Sequence, residues 1–486
     1  MVRVARKHLV VVVPGIGGSI LEQAGKVAWD AGFGSVTRLG VAADRLSLAE
    51  APVLRPTGLI RSRALVPGWT MVCGYDRLMT ALGTLPGAVV DDGHPDRRVR
   101  DANVVAFPYD FRKSITEAAE GLAADVTERL SALGAAPGEP GRVIVVAHSL
   151  GGLVARYWMG PLGGWRVCRA LITLGTPHRG APKALNWVVG GVRVGGRVWQ
   201  GVTGLFREWP SVAELLPRYP AVWDETTQTA RYPHQLPIGW LQRAAEKAFG
   251  VHEDIAAAWE QVPPSGPEFV PRIGWSHDTL DAAFWDGNRL RVRKQAPSWL
   301  SAPGWENDFG DGTVPAISAL PVGLENWAVG KTGIRVPERH GRLTFARGMV
   351  EEITARGEDY EGRPLPVRGR LAYRDADDHR AAIGLDVDEM HVRGEPIPLT
   401  VRLRTVEVDV RAVAVAAVLW PVTGPAATDD GAAGEQVRLS WDETPGCFAG
   451  EITAPGAGVF DLAVTAESVP GAGNLTVTES VAVVEP

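Results

Sequence analysis

Ser149, Asp311 and His340 follow one another along this chain in settings that favour chemistry. Ser149 lies between Ala147 and Gly151, Asp311 between Gly310 and Gly312, and His340 is followed by Gly341. A serine hydroxyl is a weak nucleophile until a base takes its proton, and the base acts best where a carboxylate fixes its tautomer and steadies its positive charge. The three residues are thus candidates for nucleophile, orienting acid and base of an acyl transfer. Asp308 competes as the acid. His178 competes as the base, but it precedes every candidate acid. Read singly, each residue also has a plainer role: Ser149 as a helix cap, Asp311 as a turn residue, His340 as an exposed loop histidine.

The elements that must position them are legible around Ser149. Val143–Ala147 is a continuous apolar run, the pattern of a parallel strand buried on both faces, and a helical pattern runs from Leu150 to about Trp158. Strand, sharp turn and helix put Ser149 at the turn, where Ala147 and Gly151 are small enough for the strand and helix to pass closely. A second apolar run, Leu9–Val13, ends in Pro14-Gly15-Ile16-Gly17-Gly18-Ser19. A dinucleotide turn needs a third glycine where Ile20 stands. An oxyanion hole fits better, built from the N–H of Leu150 and that of Ile16 or Gly17; a plain tight turn is the other reading.

Asn103–Phe107 reads as a strand and 114–133 as a helix with Ile115, Ala118, Leu122, Val126 and Leu130 on one face, making a βαβ unit up to Ser149. Strands are also predicted at 170–174 and 334–336. Residues 186–305 hold ten of the 17 tryptophans and read as a cap insertion over the carboxyl ends of the strands. Residues 30–100 show no long periodic element; a lipid-contact subdomain is expected over about 35–100, where Trp69 and Met71 are candidates for substrate or lipid contact, unless their loop is simply packed. From about 366 onward apolar and polar residues alternate, as at Leu399, Val401 and Leu403 or Phe460, Leu462 and Val464, with turn signals at sandwich spacing. The expected organisation is a 1–360 α/β catalytic domain followed by a 366–486 all-β immunoglobulin-like sandwich.

Composition narrows the function. A chain of 486 residues exceeds what one core usually serves, and a net charge of -6 argues against nucleic acid as a partner. The three cysteines, Cys73, Cys168 and Cys447, have no metal-ligand spacing, so neither a metal nor a disulfide scaffold is expected, and no cofactor motif stands. The basic start is followed by an apolar run too short for a signal peptide, and no stretch is long enough to span a membrane. The expectation is a cytoplasmic protein, peripheral at a membrane if it meets one.

Five blocks together resemble the lecithin:cholesterol acyltransferase family, which includes lysosomal phospholipase A: residues 14–22 (Pro-Gly-Ile-Gly-Gly-Ser-Ile-Leu-Glu), 108–112 (Pro-Tyr-Asp-Phe-Arg), 147–152 (Ala-His-Ser-Leu-Gly-Gly), 310–315 (Gly-Asp-Gly-Thr-Val-Pro) and 339–341 (Arg-His-Gly). The resemblance implies an α/β-hydrolase fold, with Ser149 as nucleophile, Asp311 as acid and His340 as base. It also implies transfer of a fatty acyl group from a glycerolipid through an acyl-serine, to water or to an alcohol. The secreted members carry a signal peptide and a disulfide near their membrane-touching subdomain; here only Cys73 lies in that region. The sandwich lies outside the family's core and is a candidate surface for a protein partner. Three functions follow as expectations: a lipase or phospholipase A-like hydrolase, an O-acyltransferase, or an inactive hydrolase fold that binds lipid.

Overall fold

The structure, a computed structural model, describes residues 8–30, 43–51, 53–61, 64–66, 70–72, 74–194, 197–263, 266–294, 298–300, 310–321, 335–362, 381–404, 409–423, 435–444 and 446–485. Seven strands form the central sheet: β1 (Leu9–Val13), β2 (Val90–Asp91), β3 (Val104–Ala106), β4 (Val143–His148), β5 (Cys168–Leu174), β6 (Glu268–Gly274) and β7 (Arg335–Val336). Their order is β7-β6-β5-β4-β1-β3-β2, and every pair is parallel. β1 and β4 are buried at every position, as their unbroken apolar runs require. β1 leads to β2 and β3 on one side and β4 leads to β5 on the other, so a topological switch point lies between β1 and β4. In open α/β sheets that crevice receives ligands.

Helix α1 (Asp76–Gly83) precedes β2, α2 (Ile115–Ala132) joins β3 to β4, and α3 (Leu150–Met159) joins β4 to β5. Ser114 caps α2, its side chain accepting from the Glu117 N–H at 3.2 Å. Ile115, Ala118, Leu122 and Val126 are buried as their spacing predicts.

One expectation needs correcting. Residues 186–305 are not a single insertion, because β6 lies inside that range and is a full member of the central sheet. Its sequence, Glu-Phe-Val-Pro-Arg-Ile-Gly, hides it: Pro271 and Arg272 interrupt the apolar run. Arg272 is tolerated in the interior because Glu352, on a helix over Arg347–Gly362, forms an ion pair with its guanidinium. The remainder of the range includes the helix Gly239–Glu260 and a four-stranded sheet of Val222–Asp224, Thr229–Arg231, Ala282–Trp285 and Leu290–Arg293. Trp187, Trp209, Trp259 and Trp285 are all buried in the main core.

Of the expected lipid-contact residues, Trp69 lies outside the described residues, and Met71 is in the strand Thr70–Val72, which pairs with Ala64–Val66.

The C-terminal region is β-rich, with β8 (Ala382–Asp386), β9 (Met390–Val392), β10 (Ile397–Arg404), β11 (Ala414–Thr423), β12 (Glu435–Asp442), β13 (Cys447–Ile452), β14 (Gly458–Val469) and β15 (Gly473–Val484). The hydrogen-bonded order is β8-β10-β13-β12-β11-β14-β15-β9. β12 pairs through Glu435–Leu439 with β11 and through Ser440–Asp442 with β13, so one strand turns the corner between two sheets. Leu399, Val401, Phe448, Phe460, Leu462 and Val464 fill a core of their own.

Candidate active site

Ser149 stands between β4 and α3 with φ 52° and ψ -125°, a conformation that L-residues avoid and that costs on the order of 1–3 kcal/mol. Close packing on both sides enforces it. A Cβ on Gly15 would come within 2.8 Å of the Ser149 Cβ, and one on Gly151 within 2.4 Å of the Pro14 carbonyl oxygen. The backbone N–H of Ser149 donates to the Leu174 carbonyl at 2.9 Å, tying the turn to β5.

The Ser149 hydroxyl lies 2.9 Å from His340 Nε2, and His340 Nδ1 lies 2.7 Å from Asp311 Oδ2. All three residues are about 1% exposed. Serine, imidazole and carboxylate, drawn from positions 149, 340 and 311, thus form one hydrogen-bonded chain in the crevice.

The carboxylate is fixed by its own turn. Asp311 Oδ1 accepts from the N–H groups of Thr313 and Val314 at 2.9 and 2.7 Å, leaving Oδ2 to face the imidazole. The His340 N–H donates back to the Asp311 carbonyl at 2.9 Å. Gly312, at φ 87°, makes the turn possible.

Of the competitors, Asp308 lies outside the described residues. His178 is buried against Phe269, with its Nε2 3.4 Å from Thr173 Oγ1, and burial first, then the Arg156 charge, holds it well below the usual histidine range.

Pro14–Ser19 forms a tight turn closed by a Gly18 N–H to Gly15 carbonyl bond at 3.0 Å, with Gly17 at φ 72°. Ile16 is buried in this turn and follows Gly15, which packs against Ser149, and Leu150 is the first residue of α3. Tyr109, from the Pro-Tyr-Asp-Phe-Arg block, donates its hydroxyl to the Pro14 carbonyl at 2.9 Å. In the same block Arg112 is fully buried and paired with Asp110 through two bonds of 2.7 and 2.8 Å, while also donating to the Ala51 carbonyl.

Sequence reasoning passed over Tyr75 and His148. His148 Nε2 is 3.1 Å from the His340 carbonyl oxygen, an acceptor only, so Nε2 carries the proton and Nδ1 is the acceptor. Tyr75 then donates its hydroxyl to His148 Nδ1 at 2.9 Å and accepts from the Gly15 N–H at 2.9 Å. Burial, and next the neighbouring His340, hold His148 well below its ordinary range, so it stays neutral. A continuous relay of hydrogen bonds therefore runs from the glycine-rich turn through Tyr75 and His148 to the backbone of His340. Seventy-three residues separate Tyr75 from His148, and no local pattern signals the pairing.

Among the described residues no group of three or more His, Cys, Asp or Glu could hold a metal ion, and no helix is long and apolar enough to cross a membrane.

The family model described as "Lecithin:cholesterol acyltransferase" matches residues 98–253, a span that contains the Pro-Tyr-Asp-Phe-Arg and Ala-His-Ser-Leu-Gly-Gly blocks. The family resemblance read from the sequence is met over that span. No curated protein matches the chain. Among solved structures, the Tle4-Tli4 complex is 13% identical, with a TM-score of 0.46, covering 73% of this chain and 97% of the other. The Bacillus licheniformis lipase BlEst2 in propeptide form is 9% identical, with a TM-score of 0.32 and coverage of 98% and 93%. The phospholipase PlaB from Legionella pneumophila, in complex with thio-NAD, is 11% identical with a TM-score of 0.20 and the same coverages.

Proposed function

We propose that this chain is a serine-dependent acyl-ester hydrolase acting on glycerolipids, a lipase or phospholipase A, through an acyl-Ser149 intermediate. The observation that carries the reading is the buried Ser149–His340–Asp311 hydrogen-bonded chain at the switch point. His340 Nε2 takes the hydroxyl proton as Ser149 Oγ attacks the ester carbonyl carbon; Asp311 steadies the imidazolium. The oxyanion that forms is met by the N–H groups of Ile16 and Leu150. Collapse breaks the acyl-oxygen bond, and His340 gives its proton to the leaving alkoxide. Water then repeats the sequence on the acyl-serine and frees the fatty acid. No step needs a metal or cofactor.

On this reading residues 1–360 are the catalytic domain, the 186–305 segments other than β6 cover the crevice, and 366–486 are an immunoglobulin-like sandwich. Trp69 and Met71 would meet a lipid surface from the 35–100 region. The match to an acyltransferase family favours a second reading, in which an alcohol replaces water as acyl acceptor.

A fluorophosphonate probe should label Ser149. Ser149→Ala should abolish labelling and lower turnover of phospholipid ester by at least about 10⁴-fold, the order seen when a triad member is removed. Folded wild type that neither reacts with the probe nor turns over ester would leave only a binding module. Fatty acid against alkyl ester, followed with and without a long-chain alcohol, separates hydrolysis from transfer.

A further inference from the structure

Both loops that bear the acid and the base are held from outside the central sheet, by charged groups of the C-terminal β-rich region. The residue before the base, Arg339, is 3% exposed. Its Nη1 donates to the Leu385 carbonyl on β8 at 2.7 Å, its Nε is ion-paired with Glu479 on β15, and its Nη2 lies 3.9 Å from Glu389. Its guanidinium also lies over the acid loop, since a Cβ on Gly312 would be 3.1 Å from Nη2. Lys183 makes the second tie: its Nζ is 3.1 Å from Glu389 Oε1 and 3.4 Å from Thr313 Oγ1. Thr313 is the residue whose N–H holds Asp311 Oδ1. A third tie runs through backbone. The Leu385 N–H donates to His277 Nδ1 at 3.2 Å, and His277 is paired in both directions with Gly310, next to the acid.

The plain alternative is a docking interface that only adds stability. Buried ion pairs serve that purpose poorly, because desolvating two charges offsets most of their attraction, and apolar residues of similar volume hold an interface as well or better. Glu479 is 0% exposed, and burial, only partly offset by Arg339, pushes its carboxyl up. Burial likewise works against the Glu389 carboxylate, but Lys183 and then Arg339 outweigh it and hold it below the usual range, so it is charged. Charges so costly, placed one residue from His340 and one hydrogen bond from the turn that holds Asp311, do something apolar packing would not. The Arg339–Leu385, Lys183–Glu389 and Lys183–Thr313 hydrogen bonds, with the ion pairs around Arg339, tie two separate loops to the C-terminal strands.

We propose that Glu389 and Glu479 are positioning residues for the acid and base loops, which makes the C-terminal β-rich region a working part of the catalytic apparatus; this rests on the triad reading above. Neither carboxylate touches the reacting atoms. They act through Arg339 on the placement of His340, and through Lys183 and Thr313 on that of Asp311. Shifts of about 1 Å in such groups cost on the order of 10²-fold in rate.

The test uses the full chain with Glu389→Gln, Glu479→Gln and the double variant. Glu485→Gln, from the exposed pair Arg393–Glu485, serves as the control. The readouts are kcat and KM on a soluble short-chain ester, the rate of fluorophosphonate labelling, and the thermal midpoint. We expect kcat to fall about 10-fold or more in the double variant, with KM changed less than about two-fold and labelling slowed in parallel. Glu479→Asp should recover part of the loss, and the control should match wild type. Wild-type kcat and labelling in the folded double variant would overturn the proposal. Should that variant not fold, Lys183→Met with Glu389→Met replaces one buried pair by packing of similar volume. There the proposal requires lowered kcat at an unchanged midpoint, and wild-type kcat overturns it. A wild type inert to both ester and probe would instead sink the hydrolase reading.

Discussion

At the scale of single residues, the site depends as much on side chains left out as on those present. Gly175, just after β5, has φ 57°, and a Cβ there would stand 2.8 Å from Asp311 Oδ2 and 2.9 Å from His340 Nδ1. Gly175→Ala therefore pushes on both partners of the Asp311–His340 hydrogen bond at once, on top of the backbone strain. We expect kcat to fall by about 10²-fold while most secondary structure survives, checked by kinetics beside far-UV circular dichroism. An alanine variant with wild-type kcat would show that the two loops can yield. Ser149, Asp311 and His340 were legible in the sequence because each sits in a short block whose glycines mark a turn. Gly175, Tyr75 and His148 were not, because what gives them meaning is a partner brought close only by the fold.

At the scale of elements, legibility followed burial pattern. β1 and β4 are unbroken apolar runs, and α2 shows its period of 3.6 with a serine cap, so all three could be read directly. β6 could not, since its Pro271 and Arg272 look like loop residues until Glu352 is placed beside the arginine. The segment after β6 holds its own electrostatic signature. Asp281, leading into the strand Ala282–Trp285, is buried, and burial, with the Asp278 charge adding, pushes its carboxyl up to about 8. Between about pH 4 and 8 the folded chain keeps a proton there that the unfolded chain releases, so this residue makes stability fall as pH rises through that window. Asp281→Asn lacks the titration. Its stability relative to wild type should therefore grow between pH 5 and pH 8, by up to about 4 kcal/mol at about 1.4 kcal/mol per pH unit, as read from urea midpoints. A difference independent of pH would mean that Asp281 is already ionised in the fold.

At the scale of the whole molecule, alternation and turn signals revealed a second, β-rich region, but nothing in them disclosed how closely it engages the first. The contact is backbone against backbone in places: a Cβ on Gly384 of β8 would fall 2.0 Å from the Ser276 carbonyl oxygen. Val459 and Ala482 of the C-terminal strands join the main core, while Arg402 pairs with Asp278 and Lys294 with Asp386. Two bodies joined by a swivelling contact would unfold in two steps. Here separation would return to water the apolar surface by which Val459 and Ala482 join the main core and would open the close backbone contact at Gly384. We therefore expect one calorimetric transition with a van't Hoff enthalpy close to the calorimetric one, and a fragment ending at Gly362 that lacks a cooperative transition of its own. Two resolved transitions, or a fragment of residues 1–362 that melts cooperatively and labels with the fluorophosphonate probe at the full-length rate, would show that the catalytic part stands alone. The triad would then owe its geometry to the central sheet and not to the strands that follow it.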